Sequence, residues 1–113
     1  MHEVGIAQNA LELAIQAARA SGATQIHQVQ LRVGVLTGVV PEALAFAFDA
    51  VRQGTMAATA DLKVELIPAT CWCSNCRMEF SSRETIYECP QCHQFNSELR
   101  HGLELELASL EAS

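Results

Sequence analysis

Two short cysteine pairs carry the most specific chemistry of the chain. Cys73-Ser-Asn-Cys76 and Cys89-Pro-Gln-Cys92 are C-x-x-C knuckles separated by twelve residues. Each tight turn places two sulfurs on one metal, and the intervening segment folds back to deliver the second pair. Zinc prefers thiolates and fills its tetrahedral positions with them, so the expected site at Cys73, Cys76, Cys89 and Cys92 is closed and structural rather than catalytic. A redox dithiol calls for one C-x-x-C beside a β-α-β pattern, and two knuckles outweigh that reading. Cys71 lies two positions before Cys73 and reads as a small, partly buried residue at a strand exit in preference to an alternate ligand. An odd total of five cysteines fits a reduced, metal-holding set better than a disulfide framework.

A pattern of helices and strands must position these knuckles. Ile6, Ala10, Leu13, Ala14 and Ala17 fall on one helical face opposite Gln8, Glu12, Gln16 and Arg19, and Ser21-Gly22 predicts the stop. Val29, Leu31, Val33 and Val35 alternate with Gln28, Gln30, Arg32 and Gly34, which predicts a half-buried strand at about residues 25 to 35. Pro41-Glu42 opens a second helix with proline at its first position and an acid in its first turn. Leu44, Ala47, Phe48 and Val51 form its apolar face, Gly54 is its stop, and residues 55–60 read as a loop or frayed helix end. Further strands are expected at 61–68, closed by Pro68, and at 102–110, where Leu103, Leu105 and Leu107 alternate with Glu104 and Glu106. Residues 69–97 between them hold all five cysteines and four aromatics, Trp72, Phe80, Tyr87 and Phe95, and form a separate zinc-ribbon module. Because the chain leaves the sheet and returns to it, the two strands flanking the module are expected to be antiparallel neighbours. The predicted class is α+β: two helices packed on a three-stranded sheet from residues 1–68 and 98–113, with the four-cysteine module inserted between the last two strands.

Composition narrows the function classes. The 113 residues carry seven Lys plus Arg against thirteen Asp plus Glu, a formal charge of −6, and half of them are hydrophobic, enough for a packed core. Lys63 is the single lysine, and Arg77, Arg83, Glu79, Glu84 and Glu88 leave the cysteine segment at −1 before four thiolates and a zinc ion add about −2. Nucleic-acid binding, which runs on clustered Lys and Arg, is not expected. No run reaches the ~18 to 20 apolar residues of a membrane span, and Met-His-Glu lacks the basic start of a signal peptide. The expectation is a cytoplasmic protein without a membrane or nucleic-acid partner. It is not an enzyme by this reading, for there is no Ser-His-Asp set, Gly-rich phosphate loop or open metal triad.

The opening Met1-His2-Glu3-Val4, the stretch Val33-Gly34-Val35-Leu36-Thr37-Gly38-Val39-Val40-Pro41-Glu42-Ala43-Leu44, the paired knuckles and the closing Gly102-Leu103-Glu104-Leu105 together resemble the HypA/HybF family of hydrogenase nickel-insertion proteins. The resemblance covers essentially the whole length. It implies a metallochaperone that delivers nickel to the [NiFe]-hydrogenase large subunit together with a HypB-type GTPase. It further implies nickel at His2, with the backbone nitrogens of His2 and Glu3, alongside zinc at the four knuckle cysteines. The family pattern has Ser where this chain has Gly5, a departure that touches helix capping rather than ligation.

Nickel chemistry at His2 also stands by itself. Ni(II) favours a square-planar set of nitrogens and gains strong donors by displacing amide protons. The imidazole of His2 and its own backbone nitrogen close a six-membered chelate ring, and the terminal amine or the Glu3 nitrogen closes a five-membered one. The plain alternative for His2 is a frayed, solvated terminal residue, and for the Glu3 side chain a favourable first-turn acid. His27 and His101 read as surface residues at strand ends, and His93 as a neighbour of zinc rather than a nickel ligand. The expectation is therefore a nickel metallochaperone, monomeric or homodimeric, with a structural zinc site. A zinc-ribbon adaptor that binds protein partners without carrying nickel is the competing reading.

Overall fold

The computed structural model describes residues 2–81, 87–95 and 97–113. Met1, Arg83 and Glu84, which entered the expectations above, lie outside the described residues. The first helix, α1, spans Glu3–Ala20 and so begins before the apolar periodicity does. His2 is its N-cap, with extended backbone and a side chain that accepts from the Gly5 amide. Capping therefore falls to residue 2, and Gly5 lies inside the first turn. At the other end Ser21 is the cap and Gly22 takes a φ of 80°, as Ser21-Gly22 predicts. The buried face consists of Ala7, Ala10, Leu11, Ala14 and Ala18, which is rotated from the expected one: Leu13 stays 52% exposed and Ala17 is exposed. A stripe of alanines brings the helix axis close to its neighbours, and the bulkier Leu13 is turned outward.

Helix α2 spans Pro41–Val51 with Pro41 at its start, Glu42 in its first turn and Leu44, Ala47 and Phe48 buried. It ends short of Gly54. Arg52 caps it, and the Arg52 guanidinium reaches Asp49 at 3.2 Å and the Ala60 carbonyl, which ties residues 55–60 into a compact turn. No helix of the described residues is long and apolar enough to cross a membrane.

The described residues form six strands, in chain order β1 (Ile26–Gly34), β2 (Asp61–Ile67), β3 (Thr70–Cys73), β4 (Met78–Ser81), β5 (Glu98–His101) and β6 (Leu105–Ala112). The larger sheet has the order β2-β1-β6, with β1 parallel to β2 and antiparallel to β6. This corrects the expected antiparallel pairing of the strands on either side of the module, because β1 lies between them. The α2 crossover returns the chain to the start of β1, so β2 must run parallel to it, and the strand that follows the module takes the opposite edge. A second correction concerns residues 102–110, which are not one strand. β5 ends at His101 and β6 begins only at Leu105, while a register shift opposite Gln30 and Leu31 breaks the alternation along β6. The irregularity puts Leu107 and Leu110, three apart, against the core and leaves Leu103 and Leu105 at 60% and 40% exposure. The cysteine segment builds its own antiparallel sheet, β4-β3-β5, from strands of four residues, too short for a period of two to declare itself.

Two hydrophobic clusters result. One joins α1 and α2 to the larger sheet around Ile26, Val29, Val33, Leu44 and Phe48, and the other consists of Cys71, Cys73, Phe80 and Cys89. The molecule is long, 54 × 26 × 16 Å, with a radius of gyration of 17.4 Å against about 13 Å for a compact chain of this length. The two halves meet at Gly34 and Gly102. A Cβ on Gly34 would overlap the Gly102 carbonyl, the Leu36 amide donates to the Gly102 oxygen at 2.8 Å, and the Gly34 amide donates to the Glu104 oxygen at 2.8 Å. Gly102 itself sits at φ 128°, a conformation that suits only glycine. The Glu104 carboxylate accepts from the Gly102 amide at 2.8 Å and pairs with His101 Nδ1 at 2.8 Å. Burial opposes its charge, but the Gly102 amide, the His101 ring and its own backbone amide together hold the carboxyl below its ordinary value of 4.5.

Two outcomes follow from this junction. Gly34→Ala should destabilise the fold by about 3 kcal/mol through overpacking against fixed backbone, read as a lowered denaturation midpoint. Because the Glu104 pKa is depressed in the folded state, its contribution to stability is complete at neutral pH and is lost as the pH falls below 4.5 and through the lowered value. Urea unfolding followed from neutral to acid pH should therefore show a shallower acid-side loss in Glu104→Gln than in the wild type.

Candidate metal centre

The four knuckle sulfurs come together at the end of the smaller sheet. Cys73 closes β3, Cys76 follows in the turn to β4, and Cys89 and Cys92 lie in the turn segment before β5. Their donor atoms all lie within 4.8 Å of one another, and among the described residues this is the one such group of His, Cys, Asp or Glu. Cys73 Sγ is 3.6 Å from Cys92 Sγ and Cys89 Sγ is 3.9 Å from Cys76 Sγ. A tetrahedron of ~2.3 Å metal–sulfur bonds has edges of about 3.8 Å, so the cluster already has the dimensions of a zinc–thiolate site. Cys73 and Cys89 are buried, while Cys76 and Cys92 are half-buried.

The two turns are built alike. Each C-x-x-C is followed by a non-glycine residue in the left-handed region, Arg77 at φ 52° and His93 at φ 61°. This reversal brings backbone amides toward sulfur: Cys76 N–H donates to Cys73 Sγ at 3.4 Å, and the second knuckle is closed by His93 N–H to the Cys89 oxygen at 2.9 Å and Cys89 N–H to the Gln94 oxygen at 3.0 Å. The Gln94 amide, followed by the Asn75 side chain, holds the Cys92 thiol down at about 6. Burial and then the neighbouring sulfurs push Cys76 up to about 12. Four thiols crowded this closely cannot all ionise without a cation among them, whereas a divalent metal favours all four thiolates and releases their protons. Asn75, Gln94 and the left-handed positions at Arg77 and His93 are working parts that spacing alone does not announce, beyond their place inside or just after a knuckle.

The remaining candidates are dispersed. Cys71 is in β3 and fully buried, more so than a strand-exit residue, and points into the small cluster beside Phe80; burial pushes its thiol up. His93 is outside the sulfur group, with its ring 3.2 Å from Glu88. His27 pairs with Ser113 at 2.7 Å and His101 with Glu104. His2 and Glu3 stand at the opposite kind of place, the open start of α1, where the His2 ring is exposed and bonds Gly5 at 3.4 Å. They share a groove with Ala43, Phe46 and Ala47 of α2, and Phe46 is 80% exposed there.

A four-sulfur cluster carried on a small α+β scaffold, with an exposed histidine capping the first helix, has the donor set of a metal-binding protein. Residues 1–112 match the family model described as "Hydrogenase/urease nickel incorporation, metallochaperone, hypA". The chain is 44% identical over 111 residues to the hydrogenase maturation factor HypA of Picosynechococcus sp. and 40% identical over 112 residues to that of Chloroflexus aggregans, in both cases over 98% of each chain. It therefore belongs to the HypA family of hydrogenase maturation metallochaperones. The fold agrees: the solution structure of the Ni metallochaperone HypA from Helicobacter pylori superposes with a TM-score of 0.69 at 24% identity, over 99% of this chain and 97% of that one. A second HypA solution structure gives 0.75 at 23% identity, over 100% and 97%.

Cys71 is buried in β3 and lies outside the group of four clustered sulfurs. Alkylation of the native protein should leave Cys71 unmodified until denaturant is added, and Cys71→Ala should retain the full metal complement, as checked by peptide mass spectrometry and metal analysis.

Proposed function

We infer that the chain carries Ni(II) at its N-terminal end, on the His2 imidazole and the backbone nitrogens of His2 and Glu3, and that Cys73, Cys76, Cys89 and Cys92 hold a structural zinc ion. The observation that carries the nickel reading is the position of His2 as an exposed N-cap. The first amides of a helix have no intrahelical acceptor, so the Glu3 nitrogen can give up its proton to nickel without costing the helix a backbone hydrogen bond. Imidazole and amide nitrogens then supply the strong in-plane field that square-planar Ni(II) prefers. The four sulfurs suit zinc, which takes a closed thiolate set without demanding an open position. In this reading the protein works in the cytoplasm as a monomer or homodimer, receives or passes nickel with a HypB-type GTPase, and serves the [NiFe]-hydrogenase large subunit. Its role is cargo handling, with no chemical step of its own.

Titration of nickel into the wild type should develop square-planar d–d absorption with one equivalent, and His2→Ala should lose tight nickel binding while keeping its zinc. Proton competition at the imidazole and amides makes the affinity fall as the pH is lowered. Cys89→Ser should do the reverse, losing zinc and the order of the smaller sheet while sparing the helical signal. Equal nickel affinity in wild type and His2→Ala would move the cargo site elsewhere and leave the adaptor reading in its place.

A further inference from the structure

The His2 side chain has two uses for one atom. In this structure Nδ1 accepts from the Gly5 amide at 3.4 Å and so caps the first turn of α1, with the His2 backbone extended at φ −89° and ψ 106°. A six-membered chelate through the His2 backbone nitrogen uses the same Nδ1, since Nε2 lies on the far side of the ring from the main chain. A neutral ring nitrogen that lacks a proton offers one in-plane lone pair. It cannot accept from Gly5 and bind a metal at the same time.

We propose that the Gly5 amide is the internal competitor that sets nickel affinity at His2, so that the helix cap and the cargo are alternative partners of one lone pair. The inference rests on the nickel site described above and assigns it a mode of release. On loading, the Gly5 N–H···Nδ1 bond breaks, the Ni–Nδ1 bond forms, the displaced backbone amide protons leave to solvent, and Gly5 N–H turns to water. On transfer to an acceptor, the amide returns to the ring and closes the vacated donor. Gly5 suits this use because the first turn there carries no side chain, although a Cβ would meet Nδ1 only at 4.0 Å and Ala would fit. The change is visible from outside: Glu3 and Val4 of the same turn line the groove that also holds the exposed Phe46, so a loaded and an empty N-terminus present different surfaces to whatever takes the metal.

Gly5→Pro removes the donor at a first-turn position where proline is tolerated. With the lower-range value of an N-cap as the competing term, it should bind nickel about two- to fivefold more tightly than the wild type. Gly5→Ala keeps the N–H and favours the helix, and should bind no more tightly than the wild type. In the wild type itself, hydrogen exchange at the Gly5 amide should accelerate on nickel loading; because low-spin square-planar Ni(II) is diamagnetic, NMR can follow it. That measurement decides the matter even if Gly5→Pro loses its helix start. A nickel band that depends on His2, together with unchanged Gly5 exchange, overturns the competitor and leaves the nickel site standing. Absence of any nickel band in the wild type overturns both.

Discussion

The backbones of Gly34 and Gly102 lie against each other with no space for a side chain between them, and both halves of the molecule are arranged around that contact. Gly34 ends β1, the strand to which β2 and β6 both pair. Its register partner in β2 is Ile67, the last residue before the chain departs for the smaller sheet, and Gly102 is the first residue after β5 on the way back. Departure and return are thus gathered at one residue of the central strand. The left-handed Gly102, the Leu36 and Gly34 amides and the Glu104 carboxylate hold the crossing shut.

Beyond the crossing, the described residues of the smaller sheet have little apolar matter to hold them together. Among the described residues its buried cluster is Cys71, Cys73, Phe80 and Cys89, with Cys76, Tyr87, Cys92 and Leu99 packed against it. Burial of that size is small beside the entropy of ordering the described residues of this half, about 1 kcal/mol or more for each backbone. A metal ion held by the four clustered sulfurs would add its binding free energy to the folding of this half. The larger half is the opposite case. Its alanine-rich α1, with α2 and the central β1, forms a core of apolar side chains.

How far the sequence could be read depended on whether a feature was local. The knuckles, the Pro41 start of α2, the Ser21-Gly22 stop of α1 and the strand positions of β1 and β2 follow from spacing within a few residues, and they stand where the pattern puts them. Strand order does not follow from local pattern: β2 and β6 share no edge because β1 satisfies both, and nothing in residues 61–68 or 102–110 says which edge each will take. The start of α1 was hidden because the residue that caps it is a histidine, outside the usual Ser, Thr, Asp and Asn set. Periodicity places Leu13 on the buried face, yet packing selects Leu11 and the alanine stripe that lets α1 come close. The break in β6 was equally opaque, since a bulge shifts the period without changing the kind of residue that occupies it.

The long shape of the molecule acquires a mechanical meaning from the way its halves are joined. A domain hung on one linker turns freely about three axes, like a ball joint. Here two chain passages run side by side, one from Ile67 to Thr70 and the other from His101 to Leu105, and two parallel tethers resist torsion between the bodies they connect. The sulfur end therefore cannot spin about the helical end, and any surface it offers keeps one handedness toward the N-terminus of α1.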